Sequence, residues 1–204
     1  MRINKQIIFA LLAVIAVAFI GFATINNQDG PGEEKEKDIK NNNQQVNMNA
    51  NIKTSLGEIK IELFNDKVAQ TAGNFAKLAE EGFYDGVKFH RVISGFMIQG
   101  GDSLTKDESK KQLWGTGGPG YKFDDEPFEG EYLRGTLAMA NSGPNKNGSQ
   151  FFIMHQDYPL PPKYVIFGKV LEGMDVVDKI AALETDSRDC PLEPPVIEGV
   201  IIEH

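Results

Sequence analysis

Arg91 is the residue of this chain most in need of an explanation. It sits in the run Phe89-His-Arg-Val-Ile-Ser-Gly-Phe-Met-Ile-Gln-Gly-Gly-Asp102, among Phe96, Met97 and other apolar residues, with the neutral amide of Gln99 eight positions on. A permanently charged guanidinium beside an apolar surface is costly unless a partner or a substrate uses it, and its donors form a rigid fork. A second run, Leu137-Ala-Met-Ala-Asn-Ser-Gly-Pro-Asn-Lys-Asn-Gly-Ser-Gln-Phe-Phe-Ile153, repeats the mixture of apolar strand and polar loop. An arginine in a strand, taken alone, is usually a solvated edge residue. Two such runs in one chain make a donor aimed at a bound substrate the better reading.

Other chemistries lack their parts. His90 has no Ser or Cys nucleophile in a recognisable frame around it. The three histidines, His90, His155 and His204, are not at metal-ligand spacing. Gly115-Thr-Gly-Gly-Pro-Gly120 has the glycines of a phosphate loop but not its Lys-Ser/Thr ending or a following helix, so it reads as a turn near the site. Asn147-Gly-Ser149 is a formal glycosylation sequon that reads as a tight turn. The lone Cys190 has no intramolecular disulfide partner and reads as a bland thiol in a Pro-rich loop.

The elements that must position Arg91 are short and mostly extended. Residues 52–55 and 58–63 flank Gly57 as a strand pair, with Ile59, Ile61 and Leu63 alternating on one face. Residues 69–81 read as a helix with Ala72, Phe75, Ala76, Leu78 and Ala79 on its apolar side, closed by Gly82. Further strands are expected at 87–92, 96–100, 136–140, 151–154, 165–170 and 196–202, and a second helix at 174–183. Many strands with two helices suggest a closed antiparallel sheet rather than an alternating βα fold.

The first fifty residues differ in kind. Residues 7–25 are uncharged and mostly apolar, follow Arg2 and Lys5, and are about as long as a membrane-crossing helix. No convincing cleavage site ends them, so an uncleaved anchor is preferred to a removed signal. The basic residues before the span place residues 1–25 as a cytoplasmic tip and transmembrane anchor and send the rest of the chain out of the cytoplasm. With cleavage the protein would be secreted. Residues 26–51, rich in Asn, Gln, Glu and Lys, read as a flexible tether. Residues 52–204 form one folded domain. They carry the whole of the formal net charge of −8, which speaks against nucleic acid as a partner.

Over residues 52–204 the two runs closely resemble the signature segments of the cyclophilin-type peptidyl-prolyl isomerases. The resemblance implies a mainly β fold, a closed eight-stranded antiparallel β-barrel capped by two α-helices, with the substrate groove on its outer surface. It implies that Arg91 is the catalytic arginine and Gln99 the glutamine beside it. Phe96, Met97, Phe152 and Leu160 match the pocket for the proline ring, and Ala140 and Asn141 the strand edge that binds the peptide backbone. Gln150 and His90 match rim positions, and Tyr164 stands in place of a frequent histidine. The implied substrates are proline-containing segments of unfolded or folding proteins, handled by a monomer without metal or other cofactor. A membrane-tethered binding module with incidental turnover is the alternative. Many members of the family place a tryptophan on the rim that helps bind cyclosporin. Here that stretch carries Tyr158 and Pro159, and the only tryptophan, Trp114, lies elsewhere in the sequence. Weak cyclosporin inhibition is the expectation. Ser94 stands where a proline is common, which loosens that turn.

Overall fold

The computed structural model describes residues 48–204, so the expected membrane span and most of the tether lie outside the described residues. Strand β1 (Met48–Thr54) turns through Ser55 and Leu56 into β2 (Gly57–Leu63), with Ile52 opposite Ile59 and Ala50 opposite Ile61. The Thr54 hydroxyl closes the turn by donating to the Gly57 carbonyl at 2.7 Å. Residues 48–51, expected in the polar tether, are therefore strand. Asn49 and Asn51 are carried into the sheet because β1 is paired on both sides, to β2 and to the C-terminal strand.

Helix α1 (Ala69–Glu80) buries Thr71, Ala72, Phe75, Ala76, Leu78 and Ala79. No side chain of its own caps its start. The Glu126 carboxylate accepts the Gln70 and Thr71 N–H groups instead, from 55 residues away in the chain. Next come β3 (Arg91–Ile93) and β4 (Met97–Gly100), two 3-10 helices (Ser103–Lys106 and Glu108–Leu113), β5 (Thr136–Met139) and β6 (Phe151–Met154). The chain ends with β7 (Ile166–Glu172), α2 (Met174–Ala181) and β8 (Ile197–Glu203). The pair of 3-10 helices had no counterpart in the sequence reading, because such short polar turns show no apolar period.

All eight strands join one antiparallel sheet in the order β3-β4-β6-β5-β7-β2-β1-β8. The expected closed barrel is a curled half-barrel instead: the edge strands β3 and β8 are not paired with each other. The segments that precede them touch at a single bridge, Lys88 to Val196, flanked by Phe89 N–H to Pro195 O (3.0 Å) and Ile197 N–H to Val87 O (2.7 Å). The strand expected at 87–92 is split for the same reason. Phe89 bonds across the seam, whereas the His90 N–H already turns to Gln99 O on the other side (3.1 Å).

Every strand contributes to the main core, which holds Phe75 of α1 among Tyr84, Phe151 and Phe167 with ring centroids 5.0–5.5 Å apart. A second cluster, Met97, Tyr132, Ala138, Phe152, Met154 and Ile166, covers the opposite face of β4–β7. This explains why 151–154 is apolar without alternation: Phe151 and Ile153 enter the main core, Phe152 and Met154 the second cluster. The second cluster is the floor on which the site is built.

Candidate active site

The β3–β4 hairpin sets Arg91 directly opposite Gln99. The guanidinium is held on two sides: its NH1 group donates to Gln99 Oε1 at 3.4 Å, and Nε lies 3.5 Å from Asp189 Oδ2. A guanidinium only donates, so Gln99 must turn its oxygen to Arg91 and its amide N–H outward. That N–H donates to Gln150 Oε1 at 2.9 Å, and Gln150 Nε2 in turn donates to the carbonyls of Gly115 and Gly117. The N–H groups of the same two glycines donate to Asp102, which is fully buried and also accepts the Leu104 N–H. A Cβ at Gly117 would collide with the Asp102 carboxylate, so only glycine lets the loop come this close. One polar line thus runs from a buried carboxylate to the exposed fork of Arg91.

Beside this line the floor is dry. Met97 and Phe152 are 1% and 5% exposed, and Phe96, Leu160 and Tyr164 complete the apolar wall. Tyr132 fixes Tyr164 by donating its hydroxyl to the Tyr164 carbonyl (2.9 Å) and accepting its N–H (3.1 Å), while the Tyr164 ring stands edge-on to Phe152. Burial pushes the Tyr132 hydroxyl up from its ordinary value, keeping it a neutral donor. Ala140 gives its N–H to Gln150 O. The Asn141 side chain is spent on Lys163 O and the Gly143 N–H, whereas its backbone N–H and C=O take part in none of the described hydrogen bonds.

His90, Arg91, Phe96, Met97, Gln99, Ala140, Asn141, Phe152, Leu160 and Tyr164 line one groove of about 520 Å³, large enough for a proline and its neighbours. Gln150 lines an adjoining cavity that shares Gln99, Ala140 and Asn141 with the first. His90 is not an exposed rim residue. It is 5% exposed, and neither ring nitrogen has a partner of hydrogen-bonding geometry in the protein. Burial holds its imidazole below the ordinary value, so it is a neutral wall residue.

Several residues of the site escaped the sequence reading. Trp114 lies far from the rim stretch in sequence but lines the same groove, together with Lys111, Arg188 and Cys190. Burial pushes the Cys190 thiol up, away from the reactive thiolate. Asp102 was visible only as the end of the first run, although Asp-x-x before a helical turn is a capping signal. Asp189 has no local signal at all. The Asn147 amide of the sequon is buried and donates to Asp125, so it is no glycan acceptor in this fold. Among the described residues no group of three or more His, Cys, Asp or Glu could hold a metal ion.

An apolar pocket beside a fixed cationic fork can seat a proline ring and aim a donor at its nitrogen. The comparisons agree. Residues 49–202 match the family of cyclophilin type peptidyl-prolyl cis-trans isomerases. The chain is 46% identical over 158 residues to peptidyl-prolyl cis-trans isomerase ppi1 of Schizosaccharomyces pombe, covering 76% of this chain and 99% of that protein. It is 47% identical over 178 residues to isomerase B of Streptomyces anulatus, covering 76% of this chain and 95% of that protein. A cyclophilin of Cryptosporidium parvum, solved in the presence of the dipeptide Ala-Pro, superposes with a TM-score of 0.70 at 36% identity over 76% of this chain and 99% of that one. The chain belongs to the cyclophilin-type family and is a peptidyl-prolyl cis-trans isomerase.

Proposed function

We propose that this isomerase works through Arg91 and serves exported proteins from a membrane tether. Rotation about an X–Pro bond is slow because amide resonance sets a barrier of about 20 kcal/mol. Nothing is broken, so what helps is a donor that draws the prolyl nitrogen lone pair out of resonance as the bond twists. Such a donor binds the twisted state better than either planar isomer. The observation that carries this reading is the placement of Arg91. Gln99 and Asp189 take its NH1 and Nε sides, and NH2 enters none of the described bonds. Arg91 lines the same groove as Met97 and Phe152, where a proline ring would seat among Phe96, Leu160 and Tyr164. Asn141 offers its unused backbone groups to the peptide, and Gln99, held by Gln150, keeps the fork aimed without a competing charge.

The tether rests on sequence: an apolar stretch at 7–25 behind Arg2 and Lys5, then a polar connection to β1. In this reading the chain is a monomer whose clients are Pro-containing segments of folding proteins outside the cytoplasm. The test is a prolyl cis/trans assay on the full-length chain beside Arg91→Ala, with protease accessibility of intact cells. Fast isomerisation that collapses in the variant, from a chain cleaved by external protease, is the expected result. Peptide affinity without turnover would leave a binding module, and a protected, wash-released chain would remove the exported tether.

A further inference from the structure

The chain is acidic, with 29 Asp and Glu against 21 Lys and Arg, yet its groove is not. Five cations line the two adjoining cavities: Arg91, Lys111 and Arg188 in the first, Lys122 and Lys146 in the second. Neither lining contains a single Asp or Glu among the described residues. The acids that come near, Asp102, Asp186, Asp189 and Glu108, line neither cavity. Asp102 accepts three backbone N–H groups beneath the Gly115–Gly117 loop, and Asp189 pairs with Arg91. Asp186 accepts the N–H groups of Arg188 and Cys190, and Glu108 pairs with Lys88. Lys111, Lys122, Lys146 and Arg188 enter none of the described ion pairs. The Arg188 guanidinium makes only long contacts of 3.4 Å, to Gln112 Oε1 and the Lys111 carbonyl, and Lys111 extends over the Trp114 ring.

Resting on the isomerase reading, we infer that the groove selects substrates whose proline is flanked by acidic residues. Lys111 and Arg188 share the first cavity with Arg91 and with the Met97–Phe152 floor, and Lys122 and Lys146 line the cavity that adjoins it. A segment with its proline in the first cavity lies close to Lys111 and Arg188, and one that continues into the second meets Lys122 and Lys146. A concave site walled by apolar side chains focuses the field of such charges, while the acidic body of the protein repels anions elsewhere. The groove is then a place where an acidic segment gains by approach. Basic segments meet repulsion at the same place, so discrimination comes from both attraction and exclusion.

The test measures kcat/KM and peptide affinity of the full-length chain for three X–Pro peptides of equal length, flanked by Glu, Ala or Lys. At low salt the Glu peptide should exceed the Lys peptide by about tenfold, and the difference should shrink toward unity near 0.5 M NaCl. K111E/R188E and K122E/K146E should each reduce or invert the ratio of Glu to Lys peptide; a ratio within one variant is insensitive to how much of it is folded. Equal kcat/KM and equal affinity for the Glu and Lys peptides at low salt would overturn the inference. Loss of turnover on every peptide, with the Glu peptide still bound in preference, would instead remove the isomerase reading and leave the charge selection standing.

Discussion

The ring of His155 holds the turn that carries Phe96: its Nδ1 accepts the Gly95 N–H at 2.9 Å. Its Nε2 lies 3.3 Å from Asp178 Oδ1 on α2, so the proton sits on Nε2 and Nδ1 remains the acceptor. The His155 backbone N–H also donates to Phe96 O at 2.8 Å. Asp178 is fixed in turn by a two-pronged contact with Arg134, whose hydrogen bonds hold its carboxyl below the usual range. A turn without the common proline, Ser94-Gly95, is thereby pinned from β6. His155→Ala should raise KM several-fold while kcat stays within about twofold, because the pocket wall loosens and Arg91 does not. His155→Asn, which keeps an acceptor near the Nδ1 position, should recover part of the loss. Equal KM in parent and both variants would show that the turn needs no such support.

Arg91→Lys keeps the charge and loses the fork. A lysine's three donors sit on one flexible ammonium and lack the planar fork that faces Gln99, Asp189 and the groove from separate edges. Turnover should fall by about a hundredfold, in line with removal of one oriented donor, with the circular dichroism spectrum unchanged. Turnover like the parent's would sink the proposed mechanism.

Asp102 anchors the loop that backs Gln150. Asp102→Asn presents an amide N–H to backbone N–H groups that now meet a carboxylate. The cost should be about 2–4 kcal/mol in urea unfolding, with activity per folded molecule also reduced as Gln150 and then Gln99 lose their supports. An unchanged unfolding midpoint would contradict the role given to this carboxylate.

His90 gives a pH dependence of stability with a definite sign. Burial lowers its folded value, so at a given pH below about 6.5 the unfolded chain binds more protons than the folded one. Stability therefore rises with pH through the window between the lowered folded value and the ordinary one. The penalty is absent above the window, grows as pH falls through it, and levels off beneath it. Tm should fall more between pH 7.5 and pH 5.5 in the parent than in His90→Gln. Parallel shifts in the two proteins would mean that another group carries the dependence.

Cyclosporin should inhibit weakly. Tyr158, in the rim stretch, lies against Phe96 with ring centroids 4.6 Å apart, and Leu160 and Tyr164 are the members of that loop that line the groove. Trp114, though it lines the groove, comes from the loop that carries Gly115. Titration of the isomerase with the drug decides this, and nanomolar inhibition would refute it.

Local pattern determined much of this protein. The alternation of Ile59, Ile61 and Leu63 and the helical spacing through 69–80 follow from neighbours within a dozen residues, whereas Gln99 beside Arg91 was implied by the family resemblance, and the β3–β4 register sets the two opposite each other. Those interactions are set by pleat, helical rise and turn geometry, which a sequence displays directly. What only the tertiary structure decided involves partners far apart in the chain. Residues 48–51 became strand because β2 and β8 bracket them. The segment around His90 changed partners because the two ends of the curled sheet approach each other there. Glu126 capped α1, Asp189 came to the Arg91 fork from a distant loop, and Asp102 and Gln150 joined the line that holds Gln99 beside it. Such contacts are chosen by how the sheet curls and which loops it brings together, and no periodicity along the chain records them.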